Sequence, residues 1–393
     1  MIRNVKFSNF YSFKEEQEIN FLTNRKKSYS YSNSETKDGQ QVTKVAGFIG
    51  GNASGKTNVM RLFGFLNYFI CDNNRGPLLN AGYKTFFSNN DDSKFNVEFE
   101  INGDLYFYNL ILNNNRIVEE KLLEKKNVKH AQVKEVFVRK GNVAEYLHED
   151  YFKGTPDDFL GPIRDDVSLI AFAHGKYKIE IINKIFDFFS KIYVNINEFG
   201  LLNTPVHNVK SIEVYLNDNS LKEQMEDFVR RFDMGLDGFR FKKDISSNNE
   251  ANYSIAGIHK TEKENSKDLD FIYESQGTRT LLFILAPIFS ALKNNGIVIL
   301  DEIETGLHPE AVKKIVDFFI DENEKGKAQL IFSSHSLDFM KKFDMQQIFL
   351  TSKNNEGSSV EYRLDTVAGI RTDENFLTKY MSGAYGSFPN IKV

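Results

Sequence analysis

The chain has 393 residues, of which 41% are hydrophobic and 26% charged, and its formal net charge is −4. This composition predicts a folded globular protein of two or three structural units, and it excludes a general electrostatic attraction to nucleic acid or anionic membranes. The single cysteine, Cys71, excludes a disulfide framework and a cysteine-based zinc site. The best apolar run, residues 281–289, is far shorter than the about 20 residues of a membrane span, and the N-terminus lacks a signal peptide, so we expect a cytoplasmic protein without membrane contact.

Residues 1–155 are predicted to form an N-terminal lobe with antiparallel strands and one strand–helix unit. Alternating apolar and polar residues predict strands at residues 2–7, 16–21, 95–101 and 105–111. The last two are joined by Asn102-Gly103, a favourable hairpin turn. Residues 24–41 are polar and are predicted to form a loop. An apolar run at residues 45–49 predicts a buried strand, and apolar residues at helical spacing predict a helix over residues 57–70.

Residues 156–267 are predicted to form a helical insertion. Its helices are expected at residues 178–193 and 220–232, and Ser220 with Glu223 has capping-box spacing. Residues 244–267 are polar and are predicted to be rich in loops. Residues 268–393 form a predicted C-terminal lobe, with helices at 281–292 and 310–319 that alternate with strands at 297–300 and 329–333. This alternation predicts an α/β core with a parallel sheet, and hence two α/β lobes on either side of the insertion.

A phosphate-binding loop is predicted between the strand at residues 45–49 and the helix that follows it. The pattern G-x-x-x-x-G-K-[ST] is carried by Gly50, Gly51, Asn52, Ala53, Ser54, Gly55, Lys56 and Thr57. Glycines let backbone N–H groups turn inwards around a phosphate chain, and the helix N-terminus adds to the attraction. In this arrangement Lys56 reaches the β- and γ-phosphates of ATP, and the hydroxyl of Thr57 is a ligand of Mg²⁺.

Two adjacent carboxylates follow the apolar strand at residues 297–300. Ligands bind at the C-terminal edge of such sheets, where Asp301 and Glu302 are expected to lie. Asp301 is predicted to hold Mg²⁺, and Glu302 to accept a proton from the attacking water or to orient it. The same pair is common at ordinary helix starts, so its functional interpretation depends on the phosphate loop in the same chain.

Two further segments have both a functional and a purely structural interpretation. His335 ends the strand at residues 329–333 and is predicted to contact the γ-phosphate, although a histidine there is often only a surface residue. Ser275, Gln276 and Gly277 precede the helix at residues 278–292, where a serine hydroxyl and free N–H groups form an anion site. The structural alternative for Ser275 is a plain helix cap.

The order of these parts resembles that of the ATP-binding cassette ATPases, and within that class the SMC/RecF/OLD branch. The resemblance is carried by N-F-Y-S-F at residues 9–13, by Asn52 and Asn58 in the phosphate loop, and by D-E-I-E-T-G-L-H-P at residues 301–309. It implies an α/β fold, an ABC/SMC-like P-loop ATPase head with a mixed sheet, an N-terminal antiparallel β subdomain and a helical insertion. It also implies that the protein binds ATP and Mg²⁺ and slowly hydrolyses ATP.

The resemblance further implies that two subunits pair head to tail around ATP, as a homodimer or a larger homo-oligomer. The segment Ser275-Gln276-Gly277 of one subunit would then face the γ-phosphate that Lys56 and Thr57 of the other subunit bind. The sequence departs here from the L-S-G-G-Q of transporters, so only Ser275 and Gly277 match the family pattern. Tyr11 stands where related repair ATPases often have an arginine, and no Q-loop glutamine is identifiable.

The tail, Y-M-S-G-A-Y-G-S-F-P at residues 380–389, resembles the ending of the RloA-like abortive-infection ATPases. That resemblance implies an ATP-gated switch in defence against bacteriophage, which acts through a separate effector such as a TOPRIM-type nuclease. A separate effector is expected because the sequence offers no space after residue 393 for a nuclease fused to the ATPase.

Two alternative functions remain at this stage. The first is a RecF-like DNA-repair ATPase. Basic clusters at residues 25–27, 125–129, 230–231 and 240–243 are candidate contacts for DNA or for an acidic protein partner. The same clusters are also expected as ordinary solvated loops and helix ends. The second is the nucleotide-binding subunit of a transporter, which the missing L-S-G-G-Q and the residues after Asp301 disfavour.

Overall fold

The computed structural model describes residues 1–24, 33–72, 82–155, 161–197, 200–202, 209–232, 235–245, 251–260 and 266–388. In these residues the strands are β1 (Ile2–Ser8), β2 (Gln17–Asn20), β3 (Leu22–Thr23), β4 (Asn33–Glu35), β5 (Gln41–Thr43), β6 (Val45–Gly50), β7 (Ser93–Ile101), β8 (Asp104–Asn113), β9 (Arg116–Lys125), β10 (Lys134–Lys140), β11 (Val143–Leu147), β12 (Ile192–Val194), β13 (Ile196–Asn197), β14 (Gly200–Leu201), β15 (Leu236–Ile245), β16 (Ala251–His259), β17 (Lys267–Asp270), β18 (Ile297–Leu300), β19 (Gln329–Ser334), β20 (Ile348–Lys353) and β21 (Ser359–Arg363). The helices are α1 (Lys56–Cys71), α2 (Glu149–Phe152), α3 (Leu169–Ala173), α4 (Glu180–Phe189), α5 (Val209–Asn217), α6 (Asn219–Arg231), α7 (Gln276–Asn294), α8 (Pro309–Glu322), α9 (Phe339–Lys342) and α10 (Phe376–Met381). None of the helices in this part of the chain is long and apolar enough to cross a membrane.

A seven-stranded antiparallel sheet forms the N-terminal β subdomain. Its strand order is β11-β10-β9-β8-β7-β1-β2. Strand β8 alternates buried and partly buried residues, the pattern of a strand with one face on a core. The hairpin β7–β8 turns at Asn102-Gly103, as predicted, with Ile101 paired to Asp104. The strands predicted at residues 2–7, 16–21, 95–101 and 105–111 are therefore confirmed.

A six-stranded mixed sheet carries the phosphate loop. Its strand order is β12-β18-β19-β6-β20-β21, and all neighbours are parallel except β20 and β21. Strand β6, from the N-terminal part of the chain, lies between β19 and β20 from the C-terminal part. The two predicted lobes thus share this mixed sheet, to which the N-terminal lobe contributes β6. The predicted fold class, an ABC/SMC-like P-loop ATPase head, is confirmed, whereas the predicted domain boundaries stay a prediction.

Apolar cores cover both faces of the mixed sheet. Along β18, Ile297 and Ile299 pack into the core that contains α1, and Val298 and Leu300 pack into the core that contains α7 and α8. A parallel strand with both faces covered must be apolar at every position, which is why residues 297–300 show no alternation. The burial of this apolar surface fixes β18, and with it the two carboxylates that follow.

The insertion contains α5 and α6 and also a three-stranded antiparallel sheet, β15-β16-β17. The prediction that residues 244–267 are loop-rich is wrong, because residues 251–259 form β16 and pair with β15. The outer ends of these strands are exposed, so they lack the apolar alternation that predicts a strand.

Three other local predictions need correction. The helix predicted at residues 178–193 ends at Phe189, and residues 192–194 form the edge strand β12, paired with β18. Helix α6 is capped by Asp218, whose carboxylate accepts from the backbone N–H of Leu221 at 3.2 Å, and not by Ser220. Part of the polar loop predicted at residues 24–41 forms strands, because β4 pairs with β5.

The C-terminal tail is joined to edge strand β21 by a tyrosine of that strand. The hydroxyl of Tyr362 in β21 donates to the carbonyl oxygen of Tyr385, and the hydroxyl of Tyr380 donates to the carbonyl oxygen of Ser387 at 3.3 Å. Tyr362 therefore attaches the tail to the edge of the sheet, and Tyr380 stabilises the turn within the tail. Pro389 lies outside the described residues.

Candidate functional site

Strand β6 leads through a glycine-rich turn into α1, as the P-loop pattern predicts. Gly50 lies against β20, where a Cβ would approach the carbonyl oxygen of Thr351 to 2.4 Å, closer than real contacts allow. Ala53 has a φ of +58° and Gly55 a φ of +118°. Alternation of left- and right-handed backbone conformations is how a chain forms an anion-binding concavity of N–H groups. The turn therefore has the backbone of a phosphate site.

Lys56 is buried at the base of this turn. Its ammonium group donates to the carbonyl oxygens of Gly50 at 2.8 Å and Gly51 at 3.0 Å. Burial lowers the pKa of Lys56, while the nearby carboxylates of Asp301 and Glu304 oppose that shift. A cation held only by uncharged carbonyl groups is well placed to take up a polyanion, because charge-assisted hydrogen bonds are the stronger ones.

Asp301 lies at the end of β18 and is 3% exposed. Its Oδ2 accepts from the hydroxyl of Thr57 at 2.9 Å and its Oδ1 from the hydroxyl of Ser333 at 2.5 Å. Asn195 holds the backbone of Asp301 on both sides, since its Oδ1 accepts from the N–H of Asp301 at 2.7 Å and its Nδ2 donates to the carbonyl oxygen at 3.0 Å. Burial raises the pKa of Asp301. The carboxylate is thus fixed beside Thr57 before any ligand arrives.

Glu302 follows with a φ of +45°, a left-handed conformation that is unusual for this residue type. Its backbone N–H donates to the hydroxyl of Ser333 at 2.8 Å. Its Oε2 accepts from the hydroxyl of Thr305 at 3.2 Å, and its Oε1 is 3.9 Å from Nε2 of His335. Strained backbone of this kind is maintained where the position of a side chain matters. Glu302 and His335 therefore lie side by side, both partly exposed, next to Asp301.

The oxygen atoms around this edge fit Mg²⁺ with ATP. Mg²⁺ in phosphate sites is bound by one or two protein oxygens together with phosphates and water, and Thr57 and Asp301 supply such oxygens 2.9 Å apart. Oε1 of Glu304 accepts from the backbone N–H of His335, while its Oε2 is buried and accepts no hydrogen bond from the described residues. A buried carboxylate oxygen without a donor is satisfied by a bound cation or its water.

The predicted signature segment lies at the start of α7. Ser275 is the N-cap of this helix, and its hydroxyl accepts from the backbone N–H of Thr278 at 3.1 Å, as the structural interpretation predicts. Ser275 and Gln276 are exposed. Gly277 packs against the loop after Glu302, where a Cβ would lie 2.7 Å from the carbonyl oxygen of Gly306. In the described residues neither Ser275 nor Gly277 is hydrogen-bonded to the phosphate loop, so the predicted function of this segment requires a second subunit.

Gly277→Ala is expected to lower both stability and ATP hydrolysis. The added Cβ meets the backbone of Gly306, which has to move, and we expect a loss of about 1–3 kcal/mol in the free energy of unfolding. Gly64→Ala in α1 is the matched control, because its Cβ meets only Val194 at 4.0 Å and helix interiors favour alanine by about 0.5–1 kcal/mol. Urea unfolding of both variants measures the difference, and equal stabilities would contradict the close approach of Gly277 to Gly306.

Asp301→Asn is expected to stabilise the nucleotide-free protein at neutral pH by roughly 0.5–2 kcal/mol, as removal of a functional charge commonly does. The hydroxyls of Thr57 and Ser333 rotate, so an amide satisfies both. Because the pKa of Asp301 is raised in the folded state, folding takes up a proton at pH values between about 3.9, the pKa of free aspartate, and the raised pKa. The stability of the wild type therefore rises as the pH falls through this window.

Urea unfolding at a series of pH values checks the sign. The advantage of Asp301→Asn over the wild type is expected to shrink as the pH falls, because asparagine does not titrate. An advantage that stays constant with pH, or grows as the pH falls, would show that Asp301 is not held ionised against its burial.

The structure brings the predicted phosphate-loop and carboxylate residues together and adds partners that the sequence analysis did not identify. Ser333 bonds both Asp301 and Glu302, and its place at the end of β19, two residues before His335, was a usable signal. Asn195 had no local signal, because it lies 106 residues from Asp301 in the chain.

The turn at residues 9–13 is a second feature whose role appears only in the structure. The Nδ2 of Asn58 donates to the hydroxyl of Ser12 at 2.8 Å, and the hydroxyl of Ser359 donates to Ser12 at 2.8 Å. The guanidinium carbon of Arg61, one turn along α1, lies 5.1 Å from the ring centroid of Tyr11. An arginine is thus present beside Tyr11, supplied by α1 and not by the N-terminal motif.

One or two residues of each described basic cluster pair with a carboxylate of this chain. The pairs include Lys126 with Glu124, Arg230 with Asp227, Arg240 with Asp268, and Lys243 with Glu213. These carboxylates offset part of the positive charge with which a protein binds the phosphates of DNA. The structure therefore gives no specific support for a DNA-binding surface. Residues 25–27 lie outside the described residues, and DNA binding stays a prediction.

Comparisons with known proteins give one matching family and several similar solved structures. The family described as "AAA domain, putative AbiEii toxin, Type IV TA system" matches residues 45–341. No curated protein matches. Similar solved structures are an SMC head domain from Thermotoga maritima (TM-score 0.42, 13% identity, 92% of this chain and 98% of that chain), an SmcHead bound to the C-winged helix domain of ScpA (0.46, 13%, 94% and 99%), and an Smc head domain with an extended coiled coil bound to the C-terminal domain of ScpA, derived from Pyrococcus furiosus (0.42, 13%, 97% and 98%). The family match runs from β6 into α9 and so includes the phosphate loop, both carboxylates and His335.

Proposed function

The chain belongs to the AAA-domain family described as putative AbiEii toxin, Type IV TA system, and on that basis we propose that it is an ATP-hydrolysing switch of an anti-phage defence system that controls a separate effector protein. The coarser statement, that it is a P-loop ATPase of the AAA/SMC-like type, follows from the family and the fold. Hydrolysis, pairing of subunits and control of an effector are the parts that we propose.

One observation carries the proposal for ATP. Lys56 and Thr57 from the start of α1 lie next to Asp301 and Glu302 from the end of β18, with Thr57 and Asp301 in hydrogen-bond contact at 2.9 Å. Residues 244 positions apart in the chain are therefore assembled into one site at the C-terminal edge of the sheet.

Each side chain has a distinct task in hydrolysis. The loop from Gly50 to Gly55 binds the phosphate oxygens through its N–H groups, and the ammonium of Lys56 exchanges its carbonyl partners for a phosphate. Thr57 and Asp301 would hold Mg²⁺, which when bound offsets the charge of the phosphates. Glu302 accepts the proton of the attacking water, as a general base does.

Two neighbouring side chains flank the carboxylate of Glu302. Thr305 holds one of its carboxylate oxygens at 3.2 Å, and His335 lies 3.9 Å from the other. His335 is 39% exposed at its side chain and so is accessible to a phosphate as well as to Glu302. We expect His335 to contact the γ-phosphate, so that loss of this phosphate on hydrolysis changes the position of the loop after β19.

Among the described residues the hydroxyl of Ser275 caps its own helix and makes no hydrogen bond to the phosphate loop of the same chain. The exposed Ser275 of a second subunit would supply a hydroxyl to that loop. ATP then joins two subunits, and hydrolysis lets them separate. That cycle is what makes the enzyme a switch: the paired and separated states expose different surfaces to an effector.

The defence role is tested in cells. Phage are expected to form fewer plaques on a bacterial host that expresses this protein together with the products of the neighbouring genes than on a host that lacks them. Lys56→Ala should restore the plaque count, because it removes the cation of the phosphate site, whereas Gly64→Ala should not. If the wild type gives no protection against any phage of a broad panel, the defence role is wrong.

The separate effector is tested with purified protein. Alone, the wild type is expected to hydrolyse ATP and to leave DNA intact. Efficient DNA cleavage by the purified chain, abolished by Glu302→Gln, would show that the effector is the chain itself.

A further inference from the structure

A buried carboxylate lies directly before Ser275 in the chain. The side chain of Glu274 is 4% exposed, and in the described residues its carboxylate has one hydrogen-bond partner, the ring of His259. Nε2 of His259 donates to Oε1 of Glu274 at 2.7 Å. Burial removes the hydration of a carboxylate, and one ring N–H replaces only part of it. Because apolar side chains of similar size often stabilise a fold as well as such a pair does, stability alone does not require Glu274.

The pair connects the predicted signature segment to the three-stranded sheet of the insertion. His259 is the last residue of β16, and Glu274 follows the 3₁₀ turn Phe271–Tyr273, which leads from β17 to α7. Gly257 gives room for the carboxylate, because a Cβ at this position would collide with Oε1 of Glu274. Residues two apart in a strand face the same side, so Gly257 and His259 together form the seat of Glu274 on β16.

Aromatic packing joins the same turn to both the sheet and α7. The ring centroid of Phe271 lies 6.3 Å from that of Phe239 in β15 and 5.3 Å from that of Phe283 in α7. The turn is closed by the backbone N–H of Glu274, which donates to the carbonyl oxygen of Phe271 at 3.2 Å. The sheet, the turn and the start of α7 are therefore packed together, and the place of Ser275 depends on where Glu274 is held.

We propose that Glu274 and His259 are positioning residues for ATP hydrolysis, which together set the place of Ser275 at the site shared by two subunits. The proposal rests on the proposed action of Ser275 across the interface. Neither Glu274 nor His259 contacts the nucleotide. Both act through Ser275, whose hydroxyl has to lie within hydrogen-bond distance of the γ-phosphate. Misplacement by about 1 Å costs up to about 10²-fold in rate, so a small displacement of the first turn of α7 slows hydrolysis.

His259→Leu removes the donor and keeps much of the bulk of the side chain. It is expected to lower kcat at saturating ATP about 10–100-fold. The Kd for ADP, which lacks the γ-phosphate and needs no second subunit, should stay unchanged in calorimetric titrations. His259→Gln should restore most of the rate, because its amide offers an uncharged N–H donor of similar reach. Gly257→Ala should slow hydrolysis as His259→Leu does, since its Cβ displaces the carboxylate of Glu274.

Mixtures of variants assign the effect to the half of the site that carries Ser275. In a mixed dimer of His259→Leu with Lys56→Ala, one site has Lys56 from the first subunit and an intact His259 and Ser275 from the second. Equal amounts should therefore recover about one quarter of the wild-type rate. Ser275→Asp places a negative charge opposite the bound phosphate. Mixed with His259→Leu it should give no recovery, because both defects lie in the same half and no intact site forms.

His148→Leu is the matched control. The ring of His148 is also largely buried, and its Nδ1 lies 3.7 Å from a carboxylate oxygen of Asp150, but it follows β11 at the outer edge of the seven-stranded sheet. Its rate and its ADP affinity should equal those of the wild type. Thermal melts of all variants check that they are folded.

The outcomes that would overturn the inference differ from those that would overturn the proposed function. If His259→Leu keeps the wild-type rate, the pair does not position Ser275. If His259→Leu loses ADP affinity together with rate, or if His259→Gln is equally slow, the pair supports the fold and not the signature segment. If Lys56→Ala mixed with Ser275→Asp recovers no activity although both are folded, Ser275 does not act across an interface, and the proposed function itself fails at that step.

Discussion

Glu302→Gln is expected to bind ATP, to hydrolyse it about 10²–10⁴-fold more slowly than the wild type, and to accumulate as an ATP-bound dimer. The amide keeps the size of the side chain and its hydrogen bond with Thr305, and it cannot take up a proton. Light scattering with and without ATP and Mg²⁺ measures the mass in solution, and release of phosphate measures hydrolysis.

Glu310→Gln is the matched control for this variant. Glu310 is an exposed carboxylate in the first turn of α8, paired with Lys313 at 2.7 Å, so its substitution removes the same charge outside the site. It should hydrolyse ATP at the wild-type rate. If Glu302→Gln remains fully active, the general base is another residue. If its mass does not change with ATP, nucleotide does not act by joining subunits.

Ser275→Asp is expected to lower hydrolysis by at least about 10²-fold, the typical effect of a lost contact to a developing phosphate charge. Aspartate caps a helix as well as serine does, so α7 stays capped, but its negative charge opposes a phosphate bound by the partner. Ser275→Asn is the control, because asparagine is also a good cap and carries no charge. It should retain most of the activity and the stability.

A mixture of two inactive variants tests whether the site is shared between subunits. Lys56→Ala lacks the ammonium group that binds the phosphates but has an intact Ser275. Ser275→Asp has an intact Lys56 but lacks the serine. A mixed head-to-tail dimer contains one complete site out of two. When equal amounts of the two variants pair at random, half of the dimers are mixed. The mixture should therefore recover about one quarter of the wild-type rate. No recovery in a mixture of folded variants would mean that Ser275 does not act across an interface.

The chemical core of the site is predictable from the sequence because it consists of contiguous residues between regular elements. A phosphate loop needs its glycines, lysine and threonine at fixed spacing between a strand and a helix, and residues 45–70 show all of these. Asp301 and Glu302 are likewise recognisable because they end a short, wholly apolar strand. Such patterns depend on backbone geometry that is local.

The partners of these residues were not predictable in the same way. Asn195 and Ser333 contact Asp301 from β-strand regions that are distant in sequence, and nothing in the local pattern of Asn195 distinguishes it from other polar residues. The strands β15 and β16 were missed because their exposed ends are polar on both faces. The periodicity of apolar residues indicates which face of an element is buried, and it gives no signal for an element that buries few residues.

The sequence by itself therefore determined the phosphate loop, the carboxylate pair after β18, the α/β alternation and the antiparallel hairpin around Asn102-Gly103. Only the tertiary structure decided that β6 lies between β19 and β20, that Gly277 packs on Gly306, and that Asn195 holds the backbone of Asp301. The reason is physical: local pattern fixes the type of each element, whereas the order of strands and the close approach of loops follow from how two apolar cores are filled on opposite faces of one sheet.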